Sequence, residues 1–179
     1  MKTNVKIQLK KTAGSALFLV LAMVLPLLTW QLQAVGNALC PMHIPVLLCG
    51  MIYGPFWGGL IGFIAPLLRF AIFSMPPLFP VGLPMAFELM GYGIISGLML
   101  KILPDCFGRT YIALACAVVG GRLVWALAKT VLFLFGWPKF TFMIFLTEGF
   151  VNAIIGIIVQ FLIIPPIVMA FKKARLMLN

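Results

Sequence analysis

The chain has 179 residues, 64% of them hydrophobic and 9% charged, with a mean hydropathy of +1.19. These values exclude an ordinary soluble domain and leave no room for one beside the apolar stretches, so a single all-α membrane domain over residues 1–179 is expected. The net charge of +10, from 13 Lys and Arg against 3 Asp and Glu, belongs largely to cations flanking apolar runs; it points to membrane topology and contact with the lipid bilayer, with no nucleic acid as partner.

In chain order, Lys2, Lys6, Lys10 and Lys11 precede an apolar run that reaches Trp30 without a clear A-x-A cleavage site. That run reads as a retained first helix and not as a signal peptide. Six candidate spans follow from hydropathy: about Thr12–Gln33, Met42–Tyr53, Trp57–Met75, Gly82–Leu103, Thr110–Phe135 and Phe140–Phe171. The second is short for a crossing, which ordinarily takes about 20 apolar residues, and opens on His43-Ile44-Pro45. Between the spans lie Gly36-Asn37, Gly54-Pro55, the Pro-rich run 75–80, Pro104-Asp105 and Gly136-Trp137-Pro138, all poor helix formers. Pro26, Pro66 and Pro165-Pro166 fall inside spans and predict kinks.

Lysines before the first span, and Lys172, Lys173 and Arg175 after the last, place both termini in the cytoplasm. An even number of spans is then required. Six also puts Lys101 and Arg109 inside, leaving Lys139 in an outer loop. Small residues at four-residue spacing, Gly50, Gly54, Gly58 and Gly62, then Ala113, Ala117 and Gly121, predict close helix packing into a compact bundle. Cys40, Cys49, Cys106 and Cys116 form no C-x-x-C pair and read as buried hydrophobes.

Ionisable groups are costly inside a membrane and are candidates for function. Here they are His43, Arg69, Glu88, Arg122, Lys129 and Glu148. In the six-span topology nearly all lie toward the outer side; Arg69, for instance, stands some 12 residues, about 18 Å, along the third span. Arg122 and Lys129 are seven apart, and Glu148 and Asn152 four apart, so each pair shares a helix face. Two readings follow. The residues line one solute pocket, or they are structural ion pairs, Arg69 or Arg122 with Glu88 and Lys129 with Glu148. Three cations against two carboxylates suit an anionic or zwitterionic solute.

No H-E-x-x-H, G-x-S-x-G or G-x-x-x-x-G-K-[ST] motif occurs, and a lone His43 with scattered cysteines makes no ordinary zinc site. No catalytic residues, metal or cofactor are therefore expected.

The segment from Gly36 through Asn37, Cys40, Pro41 and His43 to Val46, then Gly54-Pro55-Phe56-Trp57-Gly58, the Pro-Pro loop and Met85–Gly93, resembles the substrate-binding S components of energy-coupling factor (ECF) transporters. The resemblance is specific over the first four spans and rests on hydropathy over the last two. It implies a six-helix vitamin-binding subunit in the bacterial cytoplasmic membrane, working with a membrane coupling protein and two cytoplasmic ATPases. The solute would bind from outside near the outer helix ends, where Asn37, His43, Arg69, Glu88, Lys129, Glu148 and Asn152 are its expected contacts, and the subunit would topple to release it. The family's A-x-x-x-A docking pattern is replaced in the first helix by Thr12, Ala16 and Ala22. Likeness around His43-Ile44-Pro45 suggests pantothenate or a vitamin B6 form, with the cationic excess leaning toward pantothenate. A self-sufficient oligomeric channel or carrier is the alternative.

Overall fold

The structure, a computed structural model, describes residues 2–28, 41–74, 76–105, 108–136 and 141–179. All of its regular elements there are helical: α1 (Lys2–Leu28), α2 (His43–Tyr53), α3 (Pro55–Phe73), α4 (Leu83–Ile102), α5 (Arg109–Leu134), the short α6 (Phe142–Leu146) and α7 (Ile154–Lys173). Asn37 and the Gly36-Asn37 and Trp137-Pro138 turns lie outside the described residues, as do Cys40, Cys106 and Lys139.

Two spans, the first and the sixth, differ from those expected. The first helix begins at Lys2, ten residues early, because Lys and Gln are good helix formers and no Gly or Pro interrupts residues 2–12. The second helix is as short as expected: its 11 residues rise only about 17 Å, little more than half the hydrocarbon thickness of a bilayer. The sixth span is not one helix. It divides into α6, a wide turn over Thr147–Val151 closed by Asn152 N–H donating five residues back to Thr147 O at 2.9 Å, and α7. The four prolines expected to kink spans all lie inside helices. Among the described residues, five stretches, including the one running from the wide turn through α7, are long and apolar enough to cross a membrane; α2 is too short by itself.

The short helix is the centre of the bundle. Nine of its 11 residues are buried, and it is packed by α1, α3, α4 and α7. It turns into α3 at Gly54, whose φ of 105° is accessible only to glycine. From that turn α2, α3 and α4 meet backbone to backbone: a Cβ on Gly58 would stand 2.4 Å from Gly50 Cα and 2.7 Å from Gly93 O, and one on Gly62 would stand 2.3 Å from Leu89 O. The four-residue glycine spacing thus serves packing within the chain. Gly93→Ala, whose Cβ would fall 2.2 Å from the Gly58 carbonyl, is expected to cost at least the ~1–3 kcal/mol of ordinary overpacking, since backbone cannot step aside as a side chain can. Thermal unfolding beside Gly108→Ala, where a Cβ meets nothing within 4 Å, checks it; equal melting temperatures would refute the seam.

On the other flank of α4, α5 lays Gly121 against the Tyr92 ring and buries Ala113 and Ala117. Lys101, Arg109 and Lys172 stand at one end of the bundle. Asp105, in the α4–α5 turn, pairs with Lys172 of α7 at 2.8 Å and with Arg109, and these two hydrogen bonds, Lys172 first, hold its carboxyl below the usual carboxylate range. At the same end Leu178 N–H donates to Ile52 O at 2.8 Å and the Asn179 amide donates to Gly97 O at 3.0 Å.

Candidate functional site

The remaining carboxylates lie toward the opposite end. Glu88 is on the second turn of α4, and its Oε1 accepts a hydrogen bond from Tyr92 Oη, one turn on, at 3.1 Å. The same oxygen is 2.7 Å from Arg122 Nη1 of α5 and 3.7 Å from His43 Nε2 at the start of α2. The His43 and Tyr92 rings meet edge to face, 5.1 Å between centroids. All four side chains are sealed: Tyr92 is 1%, Glu88 and His43 are 3% and Arg122 is 6% exposed. An ion pair so deep is tolerable only because opposite charges and further donors replace the lost water.

From Arg122 the polar character climbs one face of α5. Trp125 follows after three residues and Lys129 after four more, the spacing that stacks side chains along a helix. Lys129 Nζ lies 4.9 Å from the Trp125 ring centroid and 3.0 Å from Glu148 Oε2. Phe145 of α6 covers Trp125, 6.3 Å between ring centroids at 32°. Gly149, buried in the wide turn, leaves space beside Arg122, where a Cβ would lie 3.8 Å from Arg122 Cδ. Glu148 stands in that turn, and widened helical turns of this kind recur at functional sites. The lower rung of this ladder is closed, whereas the upper rung is open: the Lys129 and Glu148 side chains are 19% and 46% exposed.

The structure therefore brings His43, Glu88, Lys129 and Glu148 onto one connected path and chooses Arg122 as the partner of Glu88. Arg69 stands apart. It lies over Phe73 of its own helix at 5.8 Å, and its buried Nη1 has no hydrogen-bond partner among the described residues. Asn152 is exposed, and no described side-chain hydrogen bond joins it to the ladder. With Arg69 aside, each cation of the ladder faces a carboxylate, so the three-to-two cationic excess is not gathered there. Tyr92, Trp125 and Phe145 were not among the expected site residues. Helical spacing from Glu88 and Arg122 marks the first two; Phe145 has no such signal.

Apolar helices of crossing length around a buried charged ladder define a multi-pass integral membrane protein. The family model for the ECF transporter, substrate-specific component, matches residues 10–168, and the chain belongs to that family. It is a family of transporter components and not of enzymes, and membership implies a substrate and the partner proteins of an ECF module. No curated protein and no solved structure gave a significant match.

Proposed function

We propose that the chain is the substrate-binding subunit for uptake of a water-soluble vitamin, bound on the Trp125–Lys129–Glu148 face above the sealed Glu88–Arg122 pair. The observation that carries this is the contrast between the two rungs. A solute entering from the open end meets the half-exposed Lys129–Glu148 pair first and exchanges its own charges for those of the pair, so neutrality is kept as water leaves. Asn37, His43, Arg69 and Asn152 remain secondary candidate contacts. Balanced charges beside aromatic rings favour a planar zwitterion such as a vitamin B6 form over the pantothenate anion.

Orientation follows from charge. Lys11, Lys101, Arg109 and Lys172 cluster at the end away from the ladder, which supports cytoplasmic termini, six membrane segments with α2 as a short one, and a ladder opening outward. Energy would come from a membrane coupling protein and two cytoplasmic ATPases, in the cytoplasmic membrane of a bacterial cell. Mass spectrometry of the small molecule retained by the purified chain, followed by calorimetric titration with that compound, tests the reading. One vitamin bound per chain is the expected result; steady solute flux in liposomes holding this chain alone, without ATP, would instead establish a self-sufficient carrier.

A further inference from the structure

The chain carries only three side-chain carboxylates against 13 Lys and Arg. All three are engaged: Glu88 with Arg122, Glu148 with Lys129, and Asp105 with Lys172 and Arg109. None is left for Lys11 and Lys101. Yet these two lysines, from α1 and α4, converge on one cleft of about 300 Å³ at the basic end of the bundle. Lys101 reaches over the α2–α3 turn beside the Asn179 side chain, with Lys101 Nζ 3.9 Å and Asn179 Oδ1 3.1 Å from where a Cβ on Gly54 would stand. Like charges brought together in a concave site, with no carboxylate in its lining, are complementary to an anion.

The other walls narrow the choice of anion. Gln8 adds an amide, and Tyr53 and Trp57 add the amphipathic rings found where hydrocarbon meets headgroups. Phe56 also lines the cleft and is largely exposed, and Leu60, one turn further along α3, is exposed over about two-fifths of its surface at 39%. An apolar track thus leads from the lysines along the outside of the bundle. A free inorganic ion has no use for such a track, whereas acyl chains do. We propose that this cleft binds the phosphate headgroup of one anionic phospholipid, with Lys11 and Lys101 on the phosphate and the acyl chains lying along α3.

The test uses native mass spectrometry of the full chain released from micelles doped with phosphatidylglycerol or phosphatidylcholine. The parent protein is expected to retain one phosphatidylglycerol under activation that strips phosphatidylcholine. Lys11→Gln with Lys101→Gln is expected to weaken retention by roughly fivefold per lysine. Lys6→Gln with Lys10→Gln removes equal charge outside the cleft and should leave retention unchanged, and Lys11→Arg with Lys101→Arg should preserve it. Equal losses in the two Gln pairs would show diffuse attraction and overturn the site, as would equal retention of both lipids. Millimolar inorganic phosphate that displaces the lipid and protects the lipid-free chain against unfolding would reassign the cleft to a soluble anion. Retention dependent on an acidic protein carried through purification would reassign it to a protein contact.

Discussion

Truncating Arg122 to alanine is expected to destabilise the protein by about 3–5 kcal/mol, because it takes the cationic partner from a buried carboxylate that then keeps, among the described residues, only Tyr92 and His43 beside it. Arg122 contributes the closest contact to Glu88 Oε1, at 2.7 Å, and both side chains are buried. Glu88→Ala takes the carboxylate from a buried guanidinium in turn and should cost a similar amount. Glu88→Gln with Arg122→Met removes both charges while keeping volume, and should recover most of the loss, since burying an ion pair yields little net stability over apolar neighbours. Equilibrium unfolding in detergent of Glu88→Gln, Arg122→Met and their combination measures this coupling. Additive losses would mean that the pair is not the device that closes the lower rung.

Lys129→Ala is expected to act on the solute instead, weakening its binding about tenfold to over a hundredfold through loss of a charge-assisted hydrogen bond. Its effect on folding should be small, within the ~0–1 kcal/mol of a solvent-accessible pair, because water can take over the Glu148 carboxylate. Glu148→Ala should follow the same pattern. Titration calorimetry with the retained vitamin, alongside thermal unfolding, separates recognition from stability. Native affinity in both variants would remove the upper rung from the binding site.

Much of the helical order was legible because lipid imposes a simple code, in which long apolar runs alternate with Gly and Pro turns. The ends of α3, α4 and α5 fall within two residues of their expected positions. The division of the sixth span was not legible, since Thr147, Glu148 and Gly149 interrupt the apolar run without a proline, and nothing in composition distinguishes a five-residue turn from a four-residue one. Which arginine meets Glu88 was equally open. Both Arg69 and Arg122 have suitable depth, and the choice depends on the rotation of α5 against α4, set by Gly121 sitting on the Tyr92 ring. The ladder's charges could be listed from sequence; its aromatic members were overlooked because rings in a membrane protein ordinarily face lipid or core.

The glycine seam has a mechanical consequence. Side-chain interfaces can slide or repack by exchanging rotamers, but Gly50, Gly58, Gly62 and Gly93 offer none, so α2, α3 and α4 are fused into one rigid slab. His43, Glu88 and Tyr92 ride on that slab, whereas Arg122, Trp125 and Lys129 ride on α5. Any displacement of α5 against that slab would have to pass through the contact of Gly121 with the Tyr92 ring, which lies 2.7 Å from where a Cβ on Gly121 would stand.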